Sequence, residues 1–316
     1  MSLPVLVELV RSGVIESTHR ASVLALRADG SVALSLGVVD EPVFPRSSNK
    51  PLQAVGLLDA GWVPADEQIL ALATASHSGE PRHLEVVRRS LAAAGLSEAA
   101  LQCPPLLPLS EPAAHALLAS GGVASRLTMN CSGKHAAILA TCMANDWSTD
   151  DYLRPDHPAQ QAMTATIERL AGEPVRHVAV DGCGAPQHAL TLTGLARAFS
   201  ALATGDGTSR AVAQAMRAHP GLVGGEGRDV TALHEGVPGL VCKDGAEGVY
   251  AAALPDGSAV AVKVADGATR AAVLVLVGGL RALGVQAEVL DRVGSAPVLG
   301  GGVPVGSLRP TAALSA

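Results

Sequence analysis

The order of hydrophobic patterns along the chain is the feature that most constrains its fold. The first 37 residues, and again the residues after Gly239, form short runs rich in valine, leucine and alanine, as is typical of β-strands. These runs break at turn signals such as Asp29-Gly30. From about Asp66 to Ala218, apolar residues instead recur at helical spacing, as in EPRHLEVVRRSLAAAG. A final apolar helix, ATRAAVLVLVGGLRALG, is predicted after the second group of strands.

This order predicts an α/β (α+β) fold. Elements that are adjacent in the chain usually pair in space, so the two strand-rich ends should form one mainly antiparallel sheet flanked by helices, with the middle block as an inserted helical domain. We expect a discontinuous sheet domain over residues 1–62 and 219–316, and a mainly helical domain over residues 63–218. A cleft between the two domains would be the natural ligand site.

Composition excludes several classes of protein. Hydrophobic residues make up 48% of the 316 residues and aromatic residues 2%, with a formal net charge of −6, which indicates a large aliphatic core. Nucleic acid is a poor partner because basic clusters and stacking aromatics are lacking. Glu8 and Arg11 come too early for a secretory signal, and the longest apolar stretch, residues 271–280, is too short to cross a bilayer. We therefore expect a soluble cytoplasmic protein that binds a small molecule, with no membrane partner.

The stretch FPRSSNKPLQA, residues 44–54, places Ser47 and Lys50 one helical turn apart at the predicted start of a helix. A serine becomes a nucleophile when a base removes its proton, and a lysine serves as that base where burial and nearby cations lower its pKa. Ser-x-x-Lys at a helix start is the arrangement of penicillin-binding and β-lactamase enzymes. A capping serine beside a solvated lysine is the alternative interpretation. Pro51 predicts an irregular turn at Lys50.

Two further stretches carry hydroxyl and amine groups. Lys243 ends a predicted strand in CKDGAEG, where those enzymes have a Lys-Thr/Ser-Gly strand, although Asp244 replaces the hydroxyl residue here. A surface hairpin with a solvated lysine is the alternative. Ser76 and His77 lie at a helix junction in ATASHSGEP, where a second serine could relay a proton between lysines. Capping of the following helix would explain the same residues.

Sulfur and nitrogen ligands suggest a metal site. Cys131, Lys134 and His135 share a helix face in MNCSGKHAAIL, and Cys183 lies in a Gly/Pro loop beside Asp181. Two thiolates and a nitrogen could hold zinc in a tetrahedral site with one open position, or the thiols could simply be buried. The odd number of cysteines and their wide spacing indicate reduced thiols. The cysteines assigned to packing alone are Cys103, Cys142 and Cys242.

The glycine-rich stretch HPGLVGGEGRDVT, residues 219–231, fits neither a dinucleotide fingerprint nor a P-loop. It could cradle an anion or close over the cleft.

Taken together, these stretches resemble the L-asparaginase II family, typified by the rhizobial inducible, thermolabile enzyme. The similarity is carried in order by GVIESTHRASVLALRADG, PRSSNKPLQA, ATASHSGEP, NCSGKHAAIL, LRPDHPAQ, VDGCGAPQHAL, AHPGLVGGEGR and KDGAEG. It spans roughly residues 7–285, and its most specific blocks are residues 76–80, 130–135 and 181–183.

The resemblance implies a fold similar to serine β-lactamases and glutaminases, hydrolysis of L-asparagine to L-aspartate and ammonia, and a homodimer. It implies two Ser–Lys pairs, a substrate-binding set and a zinc site. The pairs are Ser47 with Lys50 and Ser76 with Lys243; the substrate-binding set is Arg46, Asp181, His77 and Asn130; the zinc ligands are Cys131, Lys134 and Cys183. The sequence departs from the family at Val230, near which well-studied members carry a further cysteine, and at Asp244.

Three alternatives remain open: a penicillin-binding or β-lactamase-like serine hydrolase, a glutaminase, and a non-catalytic zinc-binding protein on a hydrolase fold. The first would need export, for which the sequence gives no signal.

Overall fold

The structure is a computed structural model that describes residues 3–315. The strands are β1 (Val5–Arg11), β2 (Val14–Leu26), β3 (Val32–Leu36), β4 (Val178–Val180), β5 (Pro186–His188), β6 (Val241–Gly245), β7 (Val249–Ala253), β8 (Ala259–Val264), β9 (Ala296–Gly300) and β10 (Val303–Pro310). The helices are α1 (Lys50–Asp59), α2 (Glu67–Ala73), α3 (Pro81–Ala93), α4 (Glu111–Ala119), α5 (Ser132–Ala144), α6 (Pro158–Ala171), α7 (Leu192–Thr204), α8 (Gly207–Ala218), α9 (Pro220–Val223), α10 (Asp229–Gly236), α11 (Thr269–Ala282), α12 (Glu288–Val293) and α13 (Ala312–Ser315). Short 3₁₀ turns cover Arg46–Asn49 and Glu98–Ala100.

The two strand-rich ends of the chain form one antiparallel sheet, as the hydrophobic pattern predicts. Its order is β6-β7-β8-β2-β1-β10-β9, with β3 also paired to β2. The long strand β2 pairs with β1 along its first half and with β8 and β3 along its second half. The predicted hairpin at Asp29-Gly30 is the β2–β3 turn, where Gly30 adopts a φ of 81°. The predicted fold class, a mainly antiparallel sheet flanked by helices with a helical insertion, is confirmed.

Side chains alternate along each strand, so the sheet has two faces to cover, and helices α7 and α11 pack on opposite faces. Ala259 and Ala261 of β8 share a core cluster with Phe199 of α7. The intervening Val260 points the other way and meets Gly279 of α11. Small side chains let both helices approach the sheet closely, which is how a core of this size forms with so few aromatic residues.

The chain divides into two compact units. The sheet unit contains residues up to Ser48, Leu190–Thr204 and residues from Ala232 onward; the helical unit contains Asn49–Ala189 and Gly205–Thr231. These bounds place α7 with the sheet and α1 with the helices, whereas the sequence-based boundaries at residues 62 and 219 place each of them in the other domain. The physical reason is packing, because α7 lies on β7 and β8 while α1 lies on α6 and α8.

The helical unit is built around α1 and α5, whose first turns are fully buried. Two glycines let their neighbours approach. A Cβ on Gly56 would lie 2.8 Å from the Met163 backbone of α6, and a Cβ on Gly133 would lie 2.6 Å from the Leu72 carbonyl of α2. Gly133 thereby brings the start of α5 against the end of α2.

The C-terminal tail, which its glycines and prolines leave unassigned by sequence, contains α12, the β9–β10 hairpin and α13. Strand β10 joins the sheet by pairing with β1.

All five cysteines are buried and free of disulfides. Among the helices of the described residues, none is long and apolar enough to span a membrane.

We predict that Gly279→Ala destabilises the sheet unit. The added Cβ would lie 2.5 Å from Val260 Cγ1 in the core, and such overpacking costs about 1–3 kcal/mol, more than the roughly 1 kcal/mol that alanine gains in helix propensity. Urea unfolding would measure the change. The double variant with Val260→Ala is the matched control, since it makes room for the methyl group. A double variant less stable than the sum of the two single changes would contradict this packing account.

Candidate active site

The first part of the candidate site is the helix start that carries Ser47 and Lys50. A 3₁₀ turn, Arg46–Asn49, runs directly into α1, and Pro51 occupies the first helical turn, where its missing N–H costs nothing. The irregularity predicted from Pro51 is this 3₁₀ turn. Arg46 adopts a φ of 53°, a left-handed conformation that is costly for a non-glycine residue and recurs at functional sites.

Lys50 is buried and its amine is surrounded by acceptors. Its Nζ donates to the Ala75 carbonyl at 2.6 Å, to Ser76 Oγ at 3.0 Å and to Cys131 Sγ at 3.0 Å. Only 1% of the side chain is exposed. The structure therefore brings Lys50 to Ser76, a contact that the sequence did not predict, while Ser47 lies one turn before Lys50 on the same helical segment.

Ser76 lies in the loop between α2 and α3, and His77 fixes that loop. His77 Nδ1 accepts from the Gly79 N–H at 3.2 Å, so the neutral ring carries its proton on Nε2 and donates to Ser132 Oγ at 2.9 Å. Ser132 in turn donates to the Leu127 carbonyl. His77 is fully buried, and burial, followed by the charges of nearby cations, lowers its pKa well below the usual range.

Sulfur and amine groups meet at the start of α5. Lys134 Nζ lies 3.2 Å from Cys183 Sγ, and the Cys183 thiol lies 3.5 Å from Asp181 Oδ2. Cys183 is carried by the turn that joins β4 to β5, in which Gly184 has a φ of 87°. Cys131 immediately precedes α5 and contacts Lys50.

The charges in this cluster are strongly coupled. A hydrogen bond from Cys131 and the nearby Lys134 cation lower the pKa of Cys183 despite burial, whereas the same bond and burial raise the pKa of Cys131. Burial opposes ionisation of Lys134, but the sulfurs of Cys183 and Cys131 and the Asp181 carboxylate raise its pKa overall. These directions favour a charged Cys183–Lys134 pair beside a protonated Cys131.

This donor set fits a zinc ion. The two sulfurs and the amine are all buried. Cys183 contacts both the Lys134 amine and the Cys131 thiol, and thiolate and nitrogen are the ligands that zinc prefers. The adjacent His135 contacts the Tyr152 hydroxyl through Nδ1 and also interacts with the Cys183 sulfur. Within residues 3–315, no group of three or more His, Cys, Asp or Glu side chains could hold a metal, so the candidate set depends on Lys134 as a ligand.

Lys243 lies in the sheet unit, beside the turn that carries Ser47. Ser48 Oγ donates to the Lys243 carbonyl at 2.9 Å, and a Cβ on Gly245 would lie 3.0 Å from Ser48 Oγ, so only glycine lets β6 approach this turn. Lys243 is fully buried; its Nζ contacts the Asp244 carboxylate and donates to the Asp244 carbonyl at 2.9 Å. Asp244, a departure from the Lys-Thr/Ser-Gly pattern, thus supplies a counter-charge to Lys243.

The remaining substrate-binding candidates are Arg46, Asp181 and Asn130, and each is partly exposed. Arg46 lies 4.0 Å from Glu247 in the sheet unit. Asn130 accepts the His77 N–H through its carbonyl. Binding of substrate by these residues, and by the buried His77, stays a prediction.

Sequence reasoning missed two residues of the site. Ser132 holds His77, and Arg228 Nη1 donates to the Ser76 carbonyl at 3.2 Å. Both lie inside quoted motifs, NCSGKHAAIL and AHPGLVGGEGR, but nothing in those motifs identifies the loop that they contact.

Stability should fall between pH 7 and pH 5. Burial lowers the pKa of His83 and of His188 to about 4, so both rings stay neutral in the folded chain, while histidines in the unfolded chain take up protons near pH 6.5. Each histidine should then lower the free energy of unfolding by about 2 kcal/mol over this interval. Urea titrations at both pH values should show a smaller fall for His83→Asn than for the exposed control His115→Asn. An equal fall in both variants would exclude His83 as a source.

Comparison with known proteins gives a family. The L-asparaginase II family model matches residues 7–310. No curated protein matches the chain. Among solved structures, Mglu in its tris and glutamate form is 14% identical to this chain, with a TM-score of 0.44. The alignment covers 89% of this chain but only 62% of the Mglu chain. A β-lactamase from Mycobacterium bovis is 14% identical with a TM-score of 0.36, covering 86% of this chain and 93% of its own.

The family model covers nearly the whole chain, including each motif that carries the buried amine, hydroxyl and thiol groups described above. The chain therefore belongs to the L-asparaginase II family.

Proposed function

We propose that the protein hydrolyses L-asparagine to L-aspartate and ammonia through an acyl-enzyme on Ser47. The observation that carries the proposal is the buried Lys50 amine, which lies 3.0 Å from Ser76 Oγ and one helical turn after Ser47. A single buried base would then serve two hydroxyl groups.

In the first step, neutral Lys50 takes the Ser47 proton as Ser47 Oγ bonds to the side-chain amide carbon. A neutral lysine amine has two N–H donors and one lone pair. The Ala75 carbonyl must accept one donor, because it has no proton to give. The Cys131 sulfur can accept the other, which leaves the lone pair for a hydroxyl proton. Backbone N–H groups near the helix start stabilise the oxyanion.

In the second step, the C–N bond breaks and the leaving nitrogen takes a proton from Ser76. Lys50 returns its proton to Ser76 across their hydrogen bond. This leaves ammonia and an aspartyl ester on Ser47. Water then attacks the ester while the same relay accepts its proton, and the departing Ser47 oxygen recovers a proton as L-aspartate forms.

Charged groups would bind the rest of the substrate. We assign the α-carboxylate to Arg46 and the α-amino group to Asp181, by charge complementarity. Lys243 is assigned to the second Ser–Lys pair, and its counter-charge is the Asp244 carboxylate. His77 acts through its hydrogen bonds, which hold the Ser76 loop. A homodimer in the cytoplasm remains our expectation for the assembled protein.

We also propose that Cys131, Lys134 and Cys183 hold zinc. Bound there, the ion would supply a Lewis-acidic contact for polar groups of the substrate. Lys134 can bind it only as the free amine, and in the metal-free chain that amine is held protonated beside the Cys183 sulfur. Zinc binding must therefore release protons.

Ser47→Ala should lower the rate of ammonia release from L-asparagine by at least a factor of about a thousand, because no other hydroxyl replaces the nucleophile. A coupled ammonia assay with L-asparagine and L-glutamine measures both the loss and the amide preference. Ser48→Ala is the matched control, since its hydroxyl bonds to the backbone of β6 and it should retain most activity. Near-wild-type turnover by a folded Ser47→Ala variant would rule out Ser47 as nucleophile.

Zinc affinity should fall as the pH drops, since Lys134 and the thiols must lose protons to bind the ion. Competition titrations at pH 8 and pH 6 would measure this. The pH dependence should be weaker in Lys134→Met, which no longer has to lose the amine proton. Removing zinc should raise KM more than it lowers kcat. A chain that binds no zinc at either pH would return the three residues to a packing role.

A further inference from the structure

The glycine-rich loop before α10 is docked on the Ser76 loop. The Ser78 N–H donates to the Gly224 carbonyl at 2.9 Å, and the Glu226 N–H donates to Glu80 Oε1 at 2.8 Å. Gly225, with a φ of 149°, has no room for a side chain, because a Cβ there would collide with the Ser78 side chain. The two loops therefore fit only with glycine at this position.

The glycine-rich loop is itself fixed at its other end. Thr231 Oγ1, in the first turn of α10, donates to the Gly225 carbonyl at 2.8 Å and accepts from the Gly225 N–H at 3.2 Å. Arg228 lies between these two anchors, half-buried, and its Nη1 reaches the Ser76 carbonyl at 3.2 Å. Its charge is also close enough to His77 and His83 to disfavour their protonation.

Two basic side chains thus hold successive carbonyls of one short segment. Lys50 binds the Ala75 carbonyl and Arg228 binds the Ser76 carbonyl, while Ser76 Oγ lies on Lys50. The peptide that joins Ser76 to His77 is held on both sides, because its N–H, on His77, donates to the Asn130 carbonyl at 3.1 Å while its carbonyl, on Ser76, accepts from Arg228. Arg228 is the side chain that holds the carbonyl side of this peptide, and the direction of Ser76 Oγ depends on that contact together with those of Lys50 and Asn130.

We infer that Arg228 is a positioning residue, which orients Ser76 for proton transfer through the Ser76 carbonyl. The inference rests on the proposed function, because it assumes that Ser76 relays a proton. A displacement of about 1 Å at a reacting group can cost about a hundredfold in rate, so the expected effect is on kcat. Substrate affinity should change little, since Arg228 is assigned no contact with the substrate.

The test compares Arg228→Met, which keeps the aliphatic stem, with Arg228→Ala. Both should lower kcat for L-asparagine tenfold to a hundredfold, with KM within about twofold of wild type. Millimolar guanidinium should restore part of the activity of Arg228→Ala. Arg210→Ala is the matched control, because Arg210 is an exposed arginine of the same unit that pairs with Asp206. It should show neither the kcat loss nor the rescue.

A crystal structure of Arg228→Met gives a readout independent of activity, namely the distance from Lys50 Nζ to Ser76 Oγ. We expect it to exceed hydrogen-bonding distance. An unchanged kcat with an unchanged Lys50–Ser76 distance would overturn the inference. A loss of kcat that guanidinium does not restore, in variants whose melting temperature is lowered in proportion to that loss, would also overturn it. If Arg228→Ala does not fold, kcat and the distance in Arg228→Met decide. An inactive wild type would refute the proposed function, and a displaced Ser76 in the variant would then show only that Arg228 holds this loop in place.

Discussion

The candidate site depends on one buried amine. Lys50 binds a carbonyl, a hydroxyl and a thiol that come from two other segments of the helical unit. Burying a polar amine without hydrogen-bond partners would cost several kcal/mol, so these three contacts stabilise its buried position. They also join the start of α1 to the Ser76 loop and to the start of α5. A substitution at Lys50 would therefore alter geometry at three places together.

The helical unit supplies this convergence by bringing helix ends close to one another. Gly133 lets the start of α5 approach the end of α2, and Gly56 lets α1 lie against α6. Each site residue of this unit then projects from a first helical turn or from a short loop braced by hydrogen bonds, as His77 braces the Ser76 loop. The positions are set by rigid elements, which is the condition for efficient proton transfer.

The sequence predicts the fold better than it predicts the contacts of the site. The periodicity of hydrophobic residues distinguishes the strand-rich ends from the helical middle. It does not identify β9 and β10 as strands, because their glycines and prolines mask the alternation. The spacing of Ser47 and Lys50 is local, so the sequence alone predicts that they lie one helical turn apart. The contact of Lys50 with Ser76 depends on where α2 packs, which no local pattern encodes, and the same holds for Arg228. Asp244 looked like a departure from the motif and is the partner of Lys243.

The central claim, that a Ser47 ester forms while Lys50 and Ser76 move the proton, can be tested by trapping the intermediate. The protein would be mixed with L-asparagine, quenched in acid during turnover, digested and mapped by mass spectrometry. The account predicts an aspartyl group on the peptide that contains Ser47, present with substrate and absent with L-aspartate alone after the acid quench. An aspartyl group attached to Ser76 instead, or ammonia released at full rate with no adduct on any serine under conditions that preserve esters, would contradict it.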